Sequence, residues 1–188
     1  NKSGIDLLTI SGHKIHAPKG IGALYISKDI RIPPRTFGGG QENGIRPGTE
    51  ALPLISGFGE AVIQLPNISE EIKRIQILYD SCKEQLLQLP GIVINSPEQG
   101  LPYVLNFSTC SVRSETMLHF LASKHIFVSG GSACAKGKRS HVLTAMGLDR
   151  ARIQTAIRVS FSRENTQQDV DDFIEAVKDG LSSLATGK

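Results

Sequence analysis

Apolar positions along the chain change period several times, and each change marks a predicted element. Asp6-Leu7-Leu8-Thr9-Ile10 is an apolar run of strand length, ended by Ser11-Gly12. Ile21 to Ile26, apolar and rich in β-branched residues, is a second predicted strand. A long irregular stretch follows, with Pro33-Pro34, the triple glycine Gly38-Gly39-Gly40 and Pro47-Gly48. Loops of that length inside a compact domain tend to be functional or disordered. Leu54, Ile55, Phe58, Val62 and Leu65 then fall at helical spacing, which predicts a helix over 49–65 with Pro53 tolerable in its first turn. A second helix is predicted over 68–89, with Glu70 and Glu71 at its positive end and Pro90-Gly91 as its stop.

Shorter elements alternate after that. Strands are predicted at Ile92–Ile94, Tyr103–Phe107, Ile126–Val128 and Ala156–Phe161, and helices at Ser114–Lys124 and Ser140–Met146. Gly147 closes the second of those helices, and Thr166-x-x-Asp169 is a capping-box start for a final helix to about Leu184. The expected class is α/β to α+β, divided near the two long helices into residues 1–65 and 66–188. Two strands and a loop cannot make a core alone, so the first piece needs a sheet that this chain does not contain. The chain opens on Asn rather than Met and runs at once into apolar residues, as if cut from something longer.

Composition narrows the function. A net charge of +3 is mild, and only Lys136, Lys138 and Arg139 cluster, which argues against direct nucleic-acid binding. There is no secretory apolar segment and no run long enough to span a membrane, so the expected location is the cytoplasm. Cys82, Cys110 and Cys134 are an odd count without a CxxC pair, which fits free thiols in a reducing compartment. The five histidines lack metal-ligand spacing, so no metal is expected; His119 and His141 read as structural.

Three residues could carry chemistry. Lys14 follows a strand and a Ser-Gly-His turn, where a desolvated amine can form a Schiff base or act as a base; a solvated loop lysine is the plainer reading. Cys134 follows Gly131 and two small residues and precedes basic residues that favour the thiolate; a buried structural cysteine is the alternative. Cys82 reads as that buried kind, and Cys110, ending a strand, is open to either. Arg158, between Ile157 and Val159 in a predicted strand, should meet a carboxylate or phosphate, or else an internal partner such as Glu115 or Glu164. The triple glycine could cradle phosphate, although such loops alone say little.

These segments together resemble the cysteine desulfurases, a branch of the class V aminotransferase family that includes the nitrogen-fixation and iron–sulfur-assembly enzymes. The blocks are Ser11-Gly12-His13-Lys14 with Pro18-Lys19-Gly20-Ile21-Gly22-Ala23-Leu24-Tyr25, and Gly38-Gly39-Gly40-Gln41-Glu42 with Arg46-Pro47-Gly48-Thr49. Gly131-Ser132-Ala133-Cys134 before Ser140-His141-Val142-Leu143, then Ile157-Arg158-Val159-Ser160 and Asn165-Thr166, complete the set. The resemblance implies the C-terminal portion of the type I pyridoxal-phosphate transferase fold: residues 1–65 as the end of the large domain, 66–188 as the small α+β domain.

It also implies roles. Lys14 is the lysine for pyridoxal 5'-phosphate and moves the substrate's Cα proton. His13 lies beside the cofactor ring, Ser11 contacts its phosphate, and Thr49 reaches the phosphate in the partner subunit of a homodimer. Arg158 clamps the carboxylate of L-cysteine, and Cys134 takes its sulfur, giving L-alanine and a persulfide for a sulfur-acceptor protein, an iron–sulfur scaffold or a tRNA-thiolation enzyme. The isolated chain, without the family's N-terminal half, is expected to be inactive. The alternatives are a class V aminotransferase or selenocysteine lyase, which does not need the Cys134 loop, and a non-catalytic interaction fragment.

Overall fold

The structure, a computed structural model, describes residues 3–130 and 140–184. It separates into two compact units, residues 1–67 and 68–188.

In the first unit, β1 (Leu7–Ser11) pairs antiparallel with β2 (Gly22–Ile26), with Leu7 opposite Ile26 and Ser11 opposite Gly22. One 3-10 turn, Gly12–Ile15, follows β1 directly. The 27–48 stretch is irregular apart from a 3-10 turn at Gln41–Gly44, as its Pro and Gly content predicts. Helix α1 (Leu52–Ile63) carries proline in its first turn, where the missing N–H costs nothing. Among the described residues of this unit, Ala17 and Ala61 are the buried apolar side chains, while Leu7, Leu8, Ile10, Leu24 and Tyr25 stay exposed. The expected lack of an independent core is what the burial shows.

The second unit has a full core. Helix α2 (Ile68–Leu87) buries Ile75, Leu78, Tyr79, Cys82 and Leu86, a stripe of three- and four-residue steps. Strands β3 (Val93–Ile94), β4 (Val104–Ser108) and β5 (Ala156–Ser160) form an antiparallel sheet in the order β3-β4-β5. Leu105, Phe107, Ile157 and Val159 alternate onto the face that meets the helices. Helix α3 (Ser114–Ser123) adds Met117 and Leu121, and the last helix, α6 (Gln167–Ser183), adds Val170, Phe173, Ile174 and Val177. Phe107 meets Phe173 edge to face at 6.2 Å, which ties the sheet to α6. The capping box is present: Thr166 N donates to Asp169 Oδ2 at 2.7 Å, and Asp169 N donates back to Thr166 Oγ1 at 3.4 Å. Helix α4 (His141–Ala145) starts at Ser140, whose Oγ accepts from Leu143 N, and ends before Gly147 at φ 77°.

Two sequence expectations change. Ile126–Val128 is not a strand; the chain leaves α3 through His125 at φ 63°, and Ile126 N donates back to the Leu121 carbonyl. The backbone is thereby held to the helix end, Phe127 stands 81% exposed, and pairing with β5 begins only at Ser129, opposite Arg158. A short helix, α5 (Arg150–Gln154), was not predicted. It is too short to show an apolar period, but Asp149 is its N-cap, Oδ1 accepting from Arg152 N at 2.9 Å.

Candidate functional site

Lys14 is placed by the end of β1. Gly12 N donates to the Ile21 carbonyl at 3.0 Å, and Ala17 N donates to the Gly12 carbonyl at 3.1 Å, so the turn carrying His13 and Lys14 is clamped at both ends. Gly12 is buried because nothing larger fits: a Cβ there would lie 3.0 Å from Ile21 Cγ2 and from the Ile21 carbonyl oxygen. His16, at φ 66°, closes the turn. Ser11, His13 and Lys14 are all exposed, the Ser11 hydroxyl makes no capping bond, and among the described residues Lys14 has no carboxylate partner.

The two glycine-bearing blocks meet. Gly48 N donates to Gln41 Oε1 at 3.2 Å, and Arg46 Nη1 donates to the Pro47 and Gly48 carbonyls at 3.3 and 3.5 Å. Gln41 therefore folds the loop back so that Thr49, exposed, leaves it from a fixed turn. Ser11, His13, Lys14 and Thr49 belong to the first unit, and Arg158 belongs to the second.

Arg158 sits on β5 with Asn106 of β4 opposite. Its backbone N donates to the Ser129 carbonyl at 2.6 Å, and its carbonyl accepts from Ser129 N at 3.1 Å. Because Ile157 and Val159 face the core, the Arg158 side chain leaves the other face of the sheet. Its Nε is buried and has no hydrogen-bond partner among the described residues. Among the described residues Arg158 makes no internal salt bridge: Glu164 pairs with Arg163 at 3.2 Å, and Glu115 stays exposed on α3.

Sequence reasoning missed the polar cluster beside Arg158. Arg152 of α5 donates to Asn95 Oδ1 from Nε at 3.0 Å and from Nη2 at 2.6 Å. Asn95 Nδ2 donates to Asn106 Oδ1 at 2.7 Å and to Ser108 Oγ at 2.8 Å. The available signal was alternation: Asn106 and Ser108 interleave with Leu105 and Phe107, so a polar face backs the apolar one.

The cysteines divide. Cys82 is fully buried, and burial pushes its thiol up to about 12, which excludes it as a nucleophile near neutral pH. Cys110 is exposed just after β4, its N donating to Thr155 Oγ1 at 3.1 Å. Cys134, the expected nucleophile, lies with its basic neighbours outside the described residues. His119 and His141 are exposed on their helices, and no group of metal-ligating side chains occurs among the described residues. A groove of about 640 Å³ beside α6 and residues 125–128 is lined by Val159 and Phe161 but not by Arg158.

The family model described as Aminotransferase class-V matches residues 1–173. The chain belongs to the class V aminotransferase family. Within it, the chain is similar to the cysteine desulfurase of Gluconacetobacter diazotrophicus, 41% identical over 97% of this chain and 47% of that protein. A cysteine desulfurase of Nostoc sp. is 42% identical over the same shares. A solved NifS-like protein superposes with a TM-score of 0.88 at 38% identity, over 97% of this chain and 48% of the other. The chain thus spans about half the length of the curated relatives it matches, and its mixed helix-and-sheet architecture is that of the type I pyridoxal-phosphate fold.

Proposed function

We infer that the chain is part of a pyridoxal-phosphate-dependent cysteine desulfurase, with residues 1–65 from the large cofactor-binding domain and 66–188 as the small domain. The observation that carries this reading is Lys14: an exposed amine, unpaired among the described residues, on a turn clamped at both ends. The donor set fits the cofactor. Lys14 offers a primary amine to an aldehyde, Ser11 and Thr49 offer exposed hydroxyls to a phosphate, and His13 offers a ring beside the lysine. When bound, pyridoxal phosphate supplies the electron sink that makes a proton at the substrate's Cα removable.

The chain's own residues do the rest. Arg158 presents a buried Nε–H, unpaired among the described residues, that suits the carboxylate of L-cysteine, and a guanidinium holds a carboxylate with two parallel bonds. The Lys14 amine carries a proton from and to carbon. Cys134, as thiolate, attacks the substrate sulfur; the Cβ–S bond breaks, a persulfide forms on Cys134, and the carbon takes up a proton to leave as L-alanine. The persulfide then passes to an acceptor protein, and Thr49 contributes to the site of a second copy in a homodimer. Cys82 and Cys110, both free thiols, support a reducing compartment such as the cytoplasm. No helix among the described residues is long and apolar enough to cross a membrane.

The test is to add pyridoxal phosphate to the complete protein that contains this chain, reduce with borohydride and map the modified lysines of this stretch by mass spectrometry. Modification should concentrate on Lys14. Even labelling of Lys14 and the exposed Lys19 and Lys28 would overturn the assignment.

A further inference from the structure

We propose that Asn106 is a second binding residue for the substrate carboxylate, its amide donating beside the Arg158 guanidinium and oriented by a relay that starts at Arg152. The proposal rests on the reading of Arg158 as a carboxylate clamp.

The pairing geometry comes first. Arg158 spends its backbone N–H and carbonyl on Ser129, on the edge of β5 away from β4. Asn106 spends its own on the residues that follow β3: its carbonyl accepts from Asn95 N at 2.8 Å and Ser96 N at 3.2 Å, and its N donates to Ser96 Oγ at 2.8 Å. Asn106 and Arg158 are therefore a non-hydrogen-bonded antiparallel pair, in which Cα atoms approach to about 4.5 Å and the side chains stand close together on one face.

The orientation of the Asn106 amide follows from donor and acceptor counting. A guanidinium can only donate, so the Asn95 atom that takes two bonds from Arg152 is the oxygen. The other Asn95 atom is then the nitrogen, and its two protons go to Asn106 and Ser108. The Asn106 atom facing Asn95 must accept, so it is the oxygen, and the Asn106 NH₂ is turned away from the relay. Among the described residues no acceptor bonds that NH₂, and none bonds Arg158 Nε. Two donors on one face of a cross-strand pair, neither bonded by an acceptor among the described residues, suit an anionic oxygen. A carboxylate fits, because one oxygen can take Arg158 while the other takes Asn106. Asn95 and Arg152 do not touch the ligand; they are positioning residues that prevent the amide from turning over.

The experiment is a titration of the ¹⁵N-labelled chain with L-alanine, which has the carboxylate but no thiol to react. The Arg158 Nε–H resonance is assigned by its loss in Arg158→Lys. In the wild type it should shift saturably with L-alanine and stay still with L-alaninamide. Asn106→Asp keeps the size and the bond from Asn95 but puts a carboxylate beside Arg158, and should weaken L-alanine binding about tenfold or more. Asn106→Ala, which only removes the donor, should weaken it about threefold to tenfold, and serves as the second variant should the aspartate disturb the fold. Wild-type affinity in both Asn106 variants, with the Arg158 signal still shifting saturably with L-alanine, overturns the role of Asn106 and leaves the clamp standing. A wild-type Arg158 signal that ignores L-alanine removes the clamp, and the role of Asn106 falls with it.

Discussion

Asn95 and Arg152 are joined by two hydrogen bonds to one oxygen, from Nη2 at 2.6 Å and Nε at 3.0 Å, and Arg152 Nη2 also donates to the Ile94 carbonyl at 3.0 Å. Asn95 is 5% exposed, so this contact fixes α5 to β3 beneath the surface. Asn95→Ala strips a partly buried guanidinium of its side-chain acceptor and leaves Ser108, fully buried, without that donor. The expected loss is about 2–3 kcal/mol, the usual cost of deleting a buried hydrogen-bonding group with a charged partner, read by denaturant unfolding. A loss under about 0.5 kcal/mol would show that the relay is ornamental.

The same relay shows how far the sequence could be read. The strands β1, β2, β4 and β5, the long helices and the capping box at Thr166 were legible because each has a clear period or terminator. Lys14 and Arg158 were legible as candidates because a lysine in a tight turn and an arginine inside an apolar strand are chemically conspicuous. Helix α5 was not, since five residues of Arg, Ala, Ile and Gln have no face to display. Asn95 and Asn106 were missed for a related reason: what makes them matter is their being brought to Arg152 and Arg158 across strands, and no local pattern encodes that. The 126–128 segment misled because its apolar residues suit a strand, while the left-handed turn at His125 binds its backbone to α3 instead.

The thiols should differ in reactivity. With its thiol held at about 12, Cys82 has about one thiolate in ten thousand at pH 8, and its side chain is fully buried. Cys110 is exposed. Iodoacetamide on the native chain, followed by peptide mapping, should therefore alkylate Cys110 and spare Cys82, with both modified in denaturant. Native labelling of Cys82 at the rate of Cys110 would mean that the α2 face opens readily.

Gly180 of α6 abuts Met117 of α3. A Cβ at Gly180 would lie 2.6 Å from Met117 Sδ, 2.9 Å from its Cε and 3.1 Å from Phe120 Cδ1. Gly180→Ala gains about 1 kcal/mol of helix propensity, and overpacking costs about 1–3 kcal/mol. Met117 is fully buried and has little room to retreat, so the packing term wins and the variant should lose about 1 kcal/mol. Combining it with Met117→Ala tests the cause: the added methyl then fills space, so the double variant should be more stable than the two single losses summed. Simple additivity would place the cost elsewhere.

Acid should loosen the second unit through two carboxyls. Asp169 is held below its ordinary 3.8, first by the hydrogen bond from Thr166 N, and Glu71 below its ordinary 4.5, first by the hydrogen bonds from Arg74. Arg74 donates to Glu71 at 2.9 and 3.0 Å and reaches across to the Asn165 carbonyl at 2.8 Å, so Glu71 steadies the approach to α6 while Asp169 caps it. In both, the folded form binds its proton less readily than the unfolded form. Their contributions are therefore complete above the ordinary values and vanish as pH falls through the depressed ones. The Tm should hold down to about pH 5 and then decline steadily as pH falls through and below the ordinary carboxylate range. Asp169→Asn and Glu71→Gln should each start lower at pH 6 and fall less steeply, because the amide has no proton to gain. Parallel curves for wild type and both variants would show that neither carboxyl contributes to the acid transition.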